Sequence, residues 1–150
     1  MKISLGADHG AFELKEAIKK HLEKKGIEYT DHGCYSKESV DYPKYAYKAA
    51  KDVADGNCDF GIICCTTGLG VSMAANKVKG VRAAVCTSNH LAEMTRRHNN
   101  ANVICMGQAV VTPEQACEMV DIFLSTEFEG GRHQRRVSQL TDIENGCIEV

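Results

Sequence analysis

The stretch from Asp59 to Ser72, Asp59-Phe-Gly-Ile-Ile-Cys-Cys-Thr-Thr-Gly-Leu-Gly-Val-Ser72, carries the densest chemistry in the chain. Phe60 to Cys64 is an apolar run of strand type. Gly68 and Gly70 let the backbone turn sharply and approach a bound group. Val71-Ser72 then opens a helix. A nucleophilic sulfur beside the free N–H groups of a strand-to-helix turn suits an anionic ligand or a developing oxyanion. An inert connection with two packed thiols would show the same residues. Alternation along a strand sends Cys64 and Cys65 to opposite sides. Cys64 belongs to the apolar run, whereas Cys65 begins the turn, where a thiolate is stabilised; Cys65 is the better base or nucleophile.

Other reactive types recur just after expected strand ends: Asp8 and His9, Asp41 and Tyr42, Cys65 to Thr67, and Thr87 and Ser88. Their convergence is stronger evidence than any one residue. Asp8 also suits a helix cap. His98 ends an expected helix, where the dipole favours a histidine in any case. Arg132 and Arg136, four apart, share a helical face and could grip one phosphate through forked hydrogen bonds. A solvated basic face would look the same. His21 and His32 are expected to be solvated, and His90 has no assignable role.

The elements that must position these groups alternate between strand and helix. Strands are expected at Ile3–Gly6, Glu28–Asp31, Asp59–Cys64, Val81–Cys86 and Val103–Met106. Helices are expected at Gly10–Lys25, Pro43–Ala54, Gly70–Val78, Asn89–His98 and Pro113–Ser125. This predicts an α/β fold, a Rossmann-like, doubly wound, five-stranded parallel sheet in three α/β/α layers, with ligands outside the carboxyl ends of the strands. The 150 residues fit one domain, 1–150. After the Gly130-Gly131 break, residues 130–146 form a basic segment in which Val137, Leu140 and Ile143 could anchor a last helix, expected to pack at a subunit interface.

A formal net charge of -2 gives no electrostatic case for nucleic-acid binding. No apolar run reaches membrane-span length, and Met1-Lys-Ile-Ser-Leu5 runs straight into Gly6 and Asp8, unlike a secretory signal. Eight cysteines without C-x-x-C spacing argue against a zinc ribbon. Small buried thiols in a reducing cytoplasm, with no structural disulfides, are the expectation.

Several motifs together resemble ribose-5-phosphate isomerase of the B type, within the ribose and galactose sugar-phosphate isomerase family. They are Gly6-Ala-Asp-His9, Asp41-Tyr-Pro43, Cys65-Thr-Thr-Gly-Leu-Gly-Val-Ser72, Ala74-Ala-Asn-Lys77, Arg97-His-Asn99, Ala101-Asn-Val103 and Glu129-Gly-Gly-Arg-His133. The resemblance implies an aldose–ketose isomerase of the pentose phosphate pathway, working through a cis-enediolate without metal or organic cofactor. By position it implies Cys65 as base, with Thr67 and the backbone of Gly68, Gly70, Val71 and Ser72 cradling the enediolate. It implies Asp8 at the sugar hydroxyls, His98 opening the furanose ring, and Asn99 on a hydroxyl. His9, Arg132 and Arg136 would hold the phosphate, and Tyr42 would line the substrate. It further implies a homodimer or tetramer, with sites completed across the subunit interface.

Three departures bear on substrate. Thr66 stands where the family usually has Gly or Ser. Thr87-Ser-Asn-His90 lacks the acidic or aromatic residues common there. Ala109 replaces a frequent phosphate-binding arginine, for which Arg135 or Lys77 could substitute. The same chemistry on allose 6-phosphate, galactose 6-phosphate or a tetrose phosphate is the alternative, and a non-catalytic sugar-phosphate sensor is the alternative of a different class. A redox-sensing thiol protein is a third.

Overall fold

The computed structural model describes residues 1–147 and 149. Five parallel strands form one sheet in the order β2-β1-β3-β5-β4. They are β1 (Lys2–Ala7), β2 (Glu28–Asp31), β3 (Phe60–Cys65), β4 (Ala83–Val85) and β5 (Val103–Gly107). The helices are α1 (Phe12–Lys24), α2 (Tyr42–Ala54), α3 (Leu69–Ala75), α4 (Asn89–Asn99), α5 (Pro113–Ser125) and α6 (Arg132–Glu144), with a single 3-10 turn at His9–Ala11.

Period-two alternation in β3 feeds two separate cores. Ile62 and Cys64 face Leu14, Ile18 and Leu22 of α1 and Met119 and Phe123 of α5. Ile63 and Cys65 face Ala46, Ala49 and Ala50 of α2 and Val71 of α3. The three layers expected from the alternating pattern are present, and the small alanines on α2 let that helix lie close to the sheet. Local chemistry sets the helix starts. Asp8 Oδ1 accepts from Gly10 N at 3.0 Å. Thr112 and Gln115 form a reciprocal capping box before α5.

The winding reverses between β1 and β3. The chain leaves β1 through α1 on one face toward β2, and leaves β3 through α3 on the other face toward β4. Crevices at the carboxyl ends of such a switch point are where ligands bind in open α/β sheets.

Several boundaries differ from expectation. Cys65 closes β3 rather than beginning the turn, because it pairs with Gly107 of β5. β4 is only Ala83–Val85, and α3 ends at Ala75. The last helix packs on its own α4 through buried His133 and Val137, whereas Leu140 and Ile143, expected as anchors, are 49% and 55% exposed. His21 and His32 are not merely solvated: each is partly buried and meets a carboxylate at 2.7 Å, Asp121 and Asp52 respectively. All eight cysteines are free thiols. Among the described residues, no helix is long and apolar enough to cross a membrane.

Candidate functional site

The ends of β1 and β3 are tied at the backbone, with Asp8 N donating to Cys64 O at 3.3 Å. Asp8 is 7% exposed, an unusual state for a carboxylate that the turn makes tolerable through the Gly10 N–H. His9 follows, and its Nδ1 accepts from Val40 N at 3.1 Å. A neutral His9 therefore carries its proton on Nε2, which leaves that nitrogen as a donor.

Beyond Cys65 the chain turns through Gly68, whose φ of 82° lies in the left-handed region. A Cβ there would also sit 3.0 Å from the Met106 carbonyl carbon, so glycine serves both needs. The turn aims Gly68 N at Cys65 Sγ, 3.1 Å away. Thr67 Oγ1 accepts from Leu69 N at 3.3 Å, and Ser72 Oγ donates to Leu69 O at 2.7 Å. Among the described residues, the Gly70 and Val71 N–H groups donate to no protein acceptor. They are the free first-turn donors of a helix that carries positive partial charge at this end. The ring of Tyr42, at the start of α2, lies against Gly70. The β5 turn closes the other side, with Gln108 N on Cys65 O and Ala109 N on Thr66 O, both at 3.0 Å. Gln108 Oε1 also accepts from Leu14 N at 3.0 Å. Burial pushes the neighbouring Cys64 thiol up to about 12, consistent with a packing role for it.

Asp8, His9, Tyr42, Cys65, Thr67, Gly68, Gly70, Val71 and Ser72 thus gather at one end of the sheet. His98, Asn99, Arg132 and Arg136 do not join them. α4 runs back from the end of β4 to the start of β5, and Ala101 N closes it onto Thr95 O. His98 and Asn99 therefore sit at the opposite edge of the sheet. The separation between the edges is the length of β5, about 13 Å from Val103 to Gly107 at roughly 3.3 Å per residue.

There, His98 stacks on His133 of α6 at 4.2 Å with the rings 9° apart. The two histidines, Asn99, Arg136, Val137 and Leu140 line a cavity of about 320 Å³. Arg132 begins the same helix and is exposed. Glu129, given no role from sequence, is the hub of this second group. It accepts from Arg97 Nε at 2.6 Å and lies 3.9 Å from His98 Nε2 and 3.5 Å from His133 Nε2. The Arg97 bond, foremost, holds its carboxyl below the usual range. Burial, then the charges of His98 and Arg132, lowers the His133 imidazole. His98, Glu129 and His133 could hold a metal ion by residue type. Stacked parallel rings, however, aim their lone pairs side by side rather than at one point, unlike a tetrahedral zinc centre.

Ala109 lies beside Thr66 at the Cys65 end. Neither expected substitute stands near it in the same chain. Lys77 follows the far end of α3, where Asn76 bonds to Ala83 at the start of β4, and Arg135 is on α6. Lys15, also missed, is buried on α1 against Asp31 at 2.7 Å. Its signal was available, because Ala11, Lys15, Ile18 and Leu22 share one stripe at four-three-four spacing.

Residues 3–140 match the model of the Ribose/Galactose Isomerase family. The chain is 48% identical to ribose-5-phosphate isomerase B of Escherichia coli over 95% of its length and 96% of that protein. It is 40% identical to D-erythrulose-4-phosphate isomerase of Pectobacterium atrosepticum, covering 97% and 96%. The structure of ribose-5-phosphate isomerase B from Clostridium thermocellum superposes with a TM-score of 0.96 at 49% identity, covering 97% and 99% of the two chains. That of the Mycoplasma genitalium enzyme with bound ribulose-5-phosphate gives 0.91 at 42%, covering 96% of each. In sequence, in fold and in the order of its motifs, the chain belongs to the ribose/galactose isomerase family.

Proposed function

We propose that the protein interconverts ribose 5-phosphate and ribulose 5-phosphate through a cis-enediolate, with Cys65 as the base. The observation that carries this reading is the Cys65 turn: a sulfur held by the Gly68 N–H, beside two unused N–H groups and a buried carboxylate. As the Cys65 thiolate takes the proton from C2 of the aldose, the C–H electron pair forms the C1–C2 double bond and negative charge moves to the carbonyl oxygen at C1. Gly70 N–H, Val71 N–H and Thr67 Oγ1 lie where that charge develops, and such donors act most strongly in the transition state. Asp8 carries the hydroxyl proton between O2 and O1, and the thiol returns its proton to C1, giving the ketose. His98 opens the furanose ring by general acid–base catalysis. Arg132, Arg136 and the Nε2–H of His9 hold the phosphate, and Asn99 a sugar hydroxyl.

Because the two groups lie at opposite edges of one sheet, a complete site requires two copies of the chain. The Cys65 edge of one subunit faces the His98 edge of its partner. Exposed Leu140 and Ile143 on α6 supply apolar area for such an interface, and the homodimer, alone or paired into a tetramer, is the assembly this implies. Ala109 favours a second reading for substrate. With no arginine on the Cys65 turn, His9 alone grips the phosphate from that side, and the Pectobacterium relative is named for a shorter sugar phosphate. Both readings are tested by comparing kcat/KM for tetrose, pentose and hexose phosphates, with proton transfer followed as deuterium entering the ketose at C1 in heavy water. Cys65→Ala is expected to lower kcat by about a hundredfold or more while leaving substrate binding intact. Near-normal turnover would remove Cys65 as the base.

A further inference from the structure

Thr66 departs from the family pattern, yet it is the residue on which the two turns of the Cys65 edge meet. We propose that Gly10 and Thr66 form a matched pair that sets the approach of the Asp8 turn to the Cys65 turn, making Thr66 a positioning residue for proton transfer. This rests on the reading that Asp8 and Cys65 act on one substrate.

The argument is steric. A Cβ built on Gly10 would fall 2.2 Å from Thr66 Oγ1, 3.4 Å from Thr66 Cβ and 3.3 Å from Asp8 Oδ1. Ordinary contacts between such atoms need roughly 3.5 Å, so the glycine is there for space. The Thr66 hydroxyl occupies the volume that any larger residue 10 would need. Three features stop the turns from yielding. The Thr66 carbonyl is pinned by Ala109 N, and the Cys65 carbonyl by Gln108 N, each at 3.0 Å. Asp8 N is fastened to Cys64 O. Thr66 is β-branched and stiff about its first side-chain torsion. The same Gly10 N–H orients the Asp8 carboxylate at 3.0 Å. Pressure on residue 10 therefore passes directly to the Asp8 carboxylate and to the spacing between the Asp8 and Cys65 turns. In a site that moves a proton between adjacent carbons, a displacement of about 1 Å costs on the order of a hundredfold in rate.

The test is a double-mutant cycle of Gly10→Ala and Thr66→Gly, read as kcat and KM separately, with melting temperature measured for every variant. Gly10→Ala is expected to lower kcat at least about tenfold with KM little changed. Adding Thr66→Gly should restore most of that loss. A general structural defect would move the melting temperature and would not be repaired by removing a second side chain. If Gly10→Ala alone fails to fold, soluble and active double variant supports the pair. A double variant no better than Gly10→Ala, or a Gly10→Ala enzyme with full kcat, overturns it. Cys65→Ala in the same assay separates this from the function itself: if that variant is active, the base assignment fails, whatever the cycle shows.

Discussion

The separation of Cys65 and His98 predicts a complementation that a single-chain site could not show. In a two-fold dimer, each site would take Cys65 from one subunit and His98 from the other. Cys65→Ala and His98→Asn homodimers each carry two defective sites. The heterodimer of these chains, co-expressed with different tags and purified through both, pairs the intact Cys65 of one chain with the intact His98 of the other. Its second site holds both defects. One of two sites is then whole, and turnover on cyclic ribose 5-phosphate should be about half that of wild type per dimer. The Cys65→Ala parent is expected about a hundredfold or more below wild type, so the signal stands far above background. The magnitude follows from the sheet: about 13 Å of β5 separates the two edges, beyond the reach of a hydrogen bond to one small sugar. A heterodimer as inactive as its parents would place Cys65 and His98 in the same chain's site and refute the reasoning.

Three further outcomes follow from the geometry. Arg136→Ala, which removes a cavity-lining cation, should raise KM about tenfold or more with kcat little changed, as expected for a charge-assisted phosphate bond; an unchanged KM removes Arg136 from the phosphate site. Asp31→Asn leaves the buried Lys15 ammonium without its main partner and should cost about 3 kcal/mol in urea denaturation at neutral pH. Burial alone would raise the Asp31 carboxyl, but bonds from Lys15, Gly33 N–H and Lys19 outweigh it and hold it below its ordinary 3.8. Its contribution is therefore full above about pH 4 and fades as pH falls through the lower folded value, so the gap between wild type and variant should narrow in acid; a constant gap contradicts the pairing. In native alkylation followed by mass spectrometry, exposed Cys147 should label readily. Cys64 and Cys86, pushed up to about 12 by burial, and fully buried Cys105 should stay unmodified until the protein unfolds.

Much of the Cys65 edge was legible in the chain. Alternation separated Cys64 from Cys65, and Gly68, the Asp8 cap and the start of α5 at Pro113 all follow from local rules that tertiary packing did not override. What escaped the sequence depends on distant partners. His21 meets Asp121 a hundred residues away, so nothing local marks it as paired. Glu129 gathers Arg97, His98 and His133 only because α6 folds back onto α4. The placement of His98 was available in principle, since a helix between parallel strands must end at the opposite edge, but motif order alone does not show it. The position of β5 between β3 and β4 is a choice among topologies that composition does not make.

That strand order has a consequence for how the chain comes into being. Of the five strands, β5 is made last, yet it lies inside the sheet, hydrogen-bonded to β3 on one side and β4 on the other. Until residues 103–107 are made, β3 keeps an open edge and β4 has no strand to join. The turn bearing Cys65 also lacks the clasp supplied by Gln108 and Ala109. Open edges are where nascent chains pair wrongly with one another. Synthesis therefore leaves the Cys65 turn unfinished until β5 is made, and the insertion of one five-residue strand closes the sheet and shapes the turn together.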